Sequence, residues 1–258
     1  MNAVDGSSES APKSKAQKFI FLGFLFCAFI GFIGLGTWQI YRLQWKNQLI
    51  ESVEQRIHAQ ALPAPDASEW SRITAAQDAY RHISASGLLL SAHSVAVQAT
   101  TELGPGFWLL TPLKQANGTI IYINRGFIKS GHPDLKPETN RSQEQVQFTG
   151  LLRISEPKGG FLRTNDPVNN RWYSRDIEAI ANTANLQRVA PFFMDAQKAE
   201  NSKDGVAFTV GPDDPVMGLT VVHFPNSHLV YAITWFALAL MVLIAYWRIF
   251  LLRASSDS

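Results

Sequence analysis

The residues best placed to do chemistry stand at the head of an apolar stretch. His228 precedes Leu229–Trp247, a run without a charged residue, and Tyr231 and Trp235 follow it at helical spacings of three and seven. Neutral imidazole is a good axial ligand for haem iron, and aromatic faces between apolar walls suit a porphyrin. Tyr231 and Trp235 supply such faces one and two turns further along. His228 is therefore the candidate metal ligand. The plainer alternative is an imidazole that merely rests at a membrane boundary.

Positioning these residues requires helices of membrane length. About 20 apolar residues cross a bilayer core of about 30 Å. Two stretches qualify, residues 19–41 and 228–247. The first is too long for the apolar region of a signal peptide and no small-x-small cleavage site clearly follows it, so it reads as a retained anchor. Gly23, Cys27 and Gly31 recur every fourth residue in it, with Gly34 on the same side, and Ala232 and Ala239 lie a heptad apart in the second, as Ala237 and Ala245 flank Met241. Small residues in rows allow close helix approach, which predicts an antiparallel pair, although glycine is common in membrane helices in any case.

Where the first span ends, Trp38, Tyr41 and Trp45 fall on one helix face, with Arg42 and Lys46 four apart. An aromatic belt with cations reaching lipid phosphates accounts for them. The sharper reading has Arg42 and Lys46 meeting an anionic group held against His228.

Orientation follows from charge. No Lys or Arg lies between Phe208 and Tyr246, whereas Arg248 and Arg253 follow directly, which predicts a cytoplasmic C-terminus. Two spans then put the N-terminus inside as well. The leader holds Asp5 and Glu9 and no arginine, unlike a mitochondrial transit peptide, so a bacterial inner membrane is the expected location. The expected layout is a cytoplasmic polar tail at 1–18, a first transmembrane helix at 19–41, a periplasmic domain at 42–227, a second transmembrane helix at 228–247 and a cytoplasmic tail at 248–258.

Within 42–227 the first helix should continue to about Gln60 and stop at Leu62-Pro63-Ala64-Pro65. Strands are expected at Arg81–Leu90, Val95–Ala99, Phe107–Leu113, Thr119–Asn124, Val146–Ile154, Val189–Met194, Val206–Val210 and Leu219–Phe224. Asn117-Gly118 signals a hairpin, Gly104-Pro105-Gly106 a loop turn, and Asn124-Arg125-Gly126-Phe127 a strand end with a bulge or tight turn. Arg125 by itself reads as a solvated or paired surface residue. One short helix is expected over Asp176–Leu186, capped by Asp176. Two transmembrane α-helices flanking a mainly antiparallel α+β periplasmic domain is the fold class these patterns predict.

The chemistry missing from the chain narrows its function. Net charge is +2, which gives no argument for nucleic acid. The single Cys27 excludes an intramolecular disulfide. There is no Walker loop, HExxH or GxSxG motif, and His58, His82, His93, His132 and His223 lack metal-ligand spacing. An enzyme is disfavoured, short of a site assembled from distant residues.

Several motifs in one order carry a resemblance. Asn226-x-His228-Leu229-x-Tyr231-Ala232-x-Thr234-Trp235 resembles the second-helix signature of the surfeit locus protein 1 family, the cytochrome c oxidase assembly factors. Gly36-x-Trp38-Gln39-x-x-Arg42-x-x-Trp45-Lys46 resembles its first-helix end. Tyr80-Arg81 with Gly87, Gly104-Pro105-Gly106-Phe107-Trp108, Thr111-Pro112-Leu113, Asn124-Arg125-Gly126-Phe127, Gly150-Leu151-Leu152-Arg153 and Trp172-Tyr173-Ser174-Arg175-Asp176 resemble motifs of the domain between. Lys129 stands where the family usually has proline, which affects only the local turn.

The resemblance implies a bacterial-type membrane protein that binds haem a, non-covalently, near the periplasmic face and assists its insertion into the oxidase catalytic subunit. His228 is then the axial ligand, with Trp38, Tyr231 and Trp235 lining the porphyrin. Arg42 and Lys46 facing the propionates is a charge argument added to it. The implied partners are the catalytic subunit, haem A synthase and the lipid bilayer. The alternative is a cofactor-free scaffold holding oxidase subunits, sensitive to surface changes near Arg125 or Trp172. Without the resemblance, a membrane-anchored periplasmic sensor or transporter accessory fits as well.

Overall fold

Helix α1, Lys15–His58, spans 44 residues without a proline. At about 1.5 Å per residue it is about 66 Å long, twice the apolar thickness of a bilayer. The computed structural model describes residues 15–131, 145–160, 163–201, 215–219 and 224–254. They form two compact units, one drawn from the chain up to residue 50 and from 224 onward, the other from residues 51–223. The first contains most of α1 together with α4, His228–Ala254. Both helices are long and apolar enough to cross a membrane.

The second unit is a β structure. Its strands are β1 (Leu62–Pro63), β2 (His82–Leu89), β3 (Val95–Thr101), β4 (Gly104–Lys114), β5 (Ile120–Lys129), β6 (Gln145–Ile154) and β7 (Val189–Asn201). They hydrogen-bond in the order β1-β2-β6-β7-β5-β4-β3, and β2 also pairs with β4. That extra pairing joins β2, β6, β7, β5 and β4 into a closed five-stranded barrel. Most neighbours run antiparallel, but β5 and β7 are parallel, as are β1 and β2. Helices contribute little here: α2 is Ala75–Asp78 and α3 is Ile177–Thr183. The expected mainly antiparallel α+β domain is thus corrected to a mostly β domain built on a closed barrel with a mixed sheet.

Closure depends on places where strands crowd each other. A Cβ on Gly87 would stand 2.2 Å from the Lys114 carbonyl oxygen, across the β2–β4 seam that shuts the ring. A Cβ on Gly150 would stand 2.1 Å from the Asp195 carbonyl, where the β6–β7 register shifts. Glycine within a strand commonly marks such bends and close approaches.

Alternation along the strands fills the ring with Ile83, Leu89, Leu113, Ile121, Ile123, Phe148, Leu152, Phe192 and Met194, all buried. The opposite faces of β4, β5 and β7 present Leu110, Tyr122 and Phe193 to a second cluster closed by Trp172, Ile177 and Ile180. This is why β5 is buried on both faces from Ile120 to Ile128.

Several local expectations change. Gly104-Pro105-Gly106 is no loop turn but the start of β4, with Pro105 paired to Thr100. Asn124-Arg125-Gly126-Phe127 lies inside β5 rather than at its end. Gly126 takes φ +132°, and the Val216 backbone packs against it. Between the pairs Trp108–Phe127 and Leu110–Asn124 the two residues Arg125 and Gly126 oppose the single Leu109, so the expected bulge is present and lies in β5 itself. Arg125 is buried, 8% exposed, not a surface residue. The turn around Asn117-Gly118 does join antiparallel strands, with Gly118 at φ +78°. Asp176 caps α3 by accepting from the Ala179 amide. The strand expected at Val206–Val210, and residues 220–223 of the one expected at Leu219–Phe224, lie outside the described residues.

Candidate functional site

The two long helices pack antiparallel, as three contacts show in sequence. Asn226 donates to Asn47 at 2.8 Å, the His228 ring meets the Gln39 side chain at 2.7 Å, and Trp235 stacks on Phe32 with centroids 5.7 Å apart. Position numbers fall along α1 as they rise along α4. The packed face of α1 carries Leu25, Phe32, Gly36, Gln39, Leu43 and Lys46, alternating near three and four, while that of α4 carries His228, Ala232, Trp235 and Ala239. Ala232 and Ala239 are each 1% exposed.

Close approach comes from a different glycine than the spacing suggests. A Cβ added at Gly23, Gly31 or Gly34 would meet nothing within 4 Å, and Cys27 is exposed. At Gly36 a Cβ would come within 2.7 Å of the Phe236 ring. Ala237 and Ala245 are likewise exposed.

The polar contact in this apolar pair is the chemically informative one. Gln39 is buried, 8% exposed, and its amide oxygen Oε1 lies 2.7 Å from His228 Nδ1. An amide oxygen only accepts, so Nδ1 carries the proton and donates. In a neutral imidazole that leaves the lone pair on Nε2, which has no hydrogen-bond partner among the described residues. A histidine that ligates a metal through one ring nitrogen commonly donates its other N–H to a carbonyl or carboxylate. The arrangement leaves one ring nitrogen, Nε2, able to take a metal.

The other expected site residues differ in exposure and in side. Trp235 is half-buried on the packed face against Phe32. Tyr231 and Trp38 are exposed, at 55% and 56%. The Arg42 guanidinium lies 4.0 Å from the centre of the Trp45 ring, and Lys46 Nζ lies 5.4 Å from that of Phe224. At about 100° per residue, with Gln39 and His228 as facing points of antiparallel helices, Trp38, Arg42 and Trp45 fall to one side of the contact line. Tyr231 falls to the same side from the opposite helix, and Gly36 with Phe236 closes the other. One flank of the pair therefore gathers aromatic faces and a guanidinium beside His228, whereas Lys46 points along the contact line toward Phe224.

Sequence reasoning missed Gln39, Phe32 and Phe224 as neighbours of these groups. The available signal was a glutamine three residues after Gly36 and seven after Phe32, on the stripe a helix presents to its partner.

The barrel holds polar groups of another kind. Asp195, 2% exposed, accepts from Asn124 at 2.7 Å and from Arg153 at 2.8 Å. Arg175 donates twice to Glu156, at 2.6 and 3.1 Å. Burial works against the Arg175 charge, but the hydrogen bonds to Glu156 and the charges of Asp195 and Glu156 outweigh it, so its pKa stands above the ordinary value. Trp172, 2% exposed, donates to Asn170 at 2.7 Å and packs in the core. Neither it nor Arg125 offers an exposed docking surface.

A family model described as the SURF1 family matches residues 26–240, which takes in the helix contact and the whole barrel. Surfeit locus protein 1 of Homo sapiens is 29% identical over 255 residues, covering 90% of this chain and 79% of the relative. The Rattus norvegicus protein of that name is 28% identical over 264 residues, covering 95% and 80%. A SURF1-like protein of Monosiga brevicollis is 30% identical over 266 residues, covering 97% and 94%.

Proposed function

This chain belongs to the SURF1 family, and we propose on that premise that it is a membrane assembly factor for a haem-copper cytochrome c oxidase. In this reading it binds haem a at the helix pair and assists insertion of the haem into the catalytic subunit, with haem A synthase as the source. The observation that carries the reading is the His228–Gln39 contact, which commits Nδ1 and leaves Nε2 available.

Haem a, when bound, supplies an iron with an axial position to fill and two propionate carboxylates. His228 Nε2 would be the nitrogen that holds the iron. Tyr231 and Trp38, on the same flank, would offer aromatic faces, with Trp235, held by its stack on Phe32, beside them at the contact line. Arg42 is the better placed propionate partner because it shares that flank. Lys46 serves as a second cation nearer Phe224. The charge asymmetry around the second span supports a layout with both termini cytoplasmic and the barrel periplasmic in a bacterial inner membrane.

The test is an absorption spectrum with haem extraction on the full chain, produced alongside the haem a biosynthetic enzymes. Wild type should carry a Soret band that His228→Ala weakens or abolishes. An unchanged band in that variant, or oxidase assembly indifferent to it, would favour a cofactor-free scaffold instead.

A further inference from the structure

The glutamine facing His228 has no assigned task, and its position suggests one. Gln39 is a buried polar side chain on the packed stripe of an apolar helix, where a polar group left without a partner is costly. Its amide oxygen meets Nδ1 of an imidazole on the opposite helix. Free neutral imidazole exchanges its proton between two nitrogens and turns about two side-chain bonds. A fixed acceptor on the neighbouring helix removes both freedoms.

We infer that Gln39 is a positioning residue for His228: by accepting from Nδ1–H it fixes the tautomer and ring orientation that present Nε2 as the ligand. The inference rests on the haem-binding reading for its purpose, but the contact itself needs no haem. The acceptor's chemistry also matters. A carboxylate at this place would draw the Nδ1 proton strongly and give the ring imidazolate character, making a more basic ligand and a lower iron potential. A neutral amide orients the ring while leaving the iron bond weaker. That suits a protein that must release its cargo to another.

Two variants and one haem-free measurement test this. With ¹⁵N-labelled histidine in the full chain in nanodiscs, at a pH well above the ordinary imidazole range, the His228 resonances are identified by their absence in His228→Ala. Two-bond ¹H–¹⁵N couplings should show the Nδ1–H tautomer in wild type. Gln39→Met, which keeps the side chain's length and removes the acceptor, should show a mixture of tautomers.

Titration with haem a should then give affinity about 10–100-fold weaker for Gln39→Met, as expected when an orienting partner is lost. Gln39→Glu should retain or tighten binding. Iron reduction potentials should rise in the order Gln39→Glu, wild type, Gln39→Met, an ordering that a merely structural hydrogen bond between helices would not produce. An Nε2–H tautomer in wild type overturns the inference, as does a Gln39→Met protein with unchanged tautomer, affinity and potential. Should Gln39→Met fail to fold, the wild-type tautomer and the Gln39→Glu potential still decide it. If wild type takes up no haem a at all, the haem-binding reading falls, while the tautomer measurement decides the contact on its own.

Discussion

The helix pair and the barrel each bury polar side chains in an apolar setting, and they treat them oppositely. In the barrel the charges answer one another: Asp195 is met by Asn124, Arg153 and Arg175, and Glu156 takes both hydrogen bonds of the Arg175 fork. In the helix pair Gln39 satisfies one nitrogen of His228, and the other has no partner among the described residues. Saturated groups hold a structure together. A group with one valence left open is equipped to bind something.

The sharpest way to break this comparison is to delete one anchor from each region. Asp195→Ala leaves Asn124 without its acceptor and Arg153 with only the longer 3.7 Å pairing to Glu156, and removing one partner of a buried ion pair costs about 3–5 kcal/mol. His228→Ala gives up one neutral hydrogen bond and leaves the buried Gln39 amide oxygen without that partner, a loss of about 1–3 kcal/mol. Denaturant unfolding of the full chain, followed by tryptophan fluorescence, should therefore show a large shift for Asp195→Ala and a smaller one for His228→Ala. Haem uptake per folded molecule should show the reverse. If the His228 variant were the less stable of the two, the histidine would be a structural strut.

Two glycines sharpen the same contrast at smaller scale. At Gly87 a Cβ would strike the Lys114 carbonyl, which is backbone at the barrel seam and cannot yield without opening the β2–β4 pairing. Overpacking of that kind typically costs about 1–3 kcal/mol. At Gly36 the obstacle is the ring of Phe236, itself 37% exposed and able to turn aside. Alanine there also gains about 0.5–1 kcal/mol of helix propensity over glycine. Gly87→Ala should lower the unfolding midpoint clearly, and Gly36→Ala should leave it near wild type. Equal losses would mean that the helix pair is packed as rigidly as the barrel.

The same difference in rigidity explains what could be read from the sequence. The membrane-length helices declare themselves through length and lack of charge, and most strands through alternation and the Asn117-Gly118 turn. Closure of the barrel does not, because a closed sheet and an open one share the same alternation, and here the seam rests on Leu88 and Leu89 meeting Lys114 and Leu113. Gly104-Pro105-Gly106 and Gly126 look like punctuation because glycine and proline usually are. In this fold they sit in strands, and at Gly106 and Gly126 another backbone comes close, that of Ile128 and of Val216 respectively. At the site, His228 was visible from its setting at the head of an apolar span. Gln39 was not, since its importance depends on a partner 189 positions away. The Gly23–Cys27–Gly31 row misled for a related reason: small residues permit contact, but only the opposite helix decides which row is used.

The mildest test concerns a barrel polar group that departs from the saturated pattern. Tyr122 is fully buried, and its hydroxyl has no hydrogen-bond partner among the described residues. Burial raises its pKa above the ordinary 10.0, since the phenolate cannot be solvated there. The folded protein then keeps this proton at pH values where the unfolded chain has lost it. Its contribution is intact below pH 10 and declines as pH rises above that value. Tyr122→Phe removes both the unsatisfied hydroxyl and the alkaline liability. It should be neutral to about 1 kcal/mol stabilising at neutral pH, and should flatten the fall in stability above pH 10. A destabilised variant with the same alkaline slope would show that the hydroxyl is satisfied after all, leaving Arg81 Nε and Ser91 Oγ as the buried side-chain atoms of this unit without a hydrogen-bond partner among the described residues.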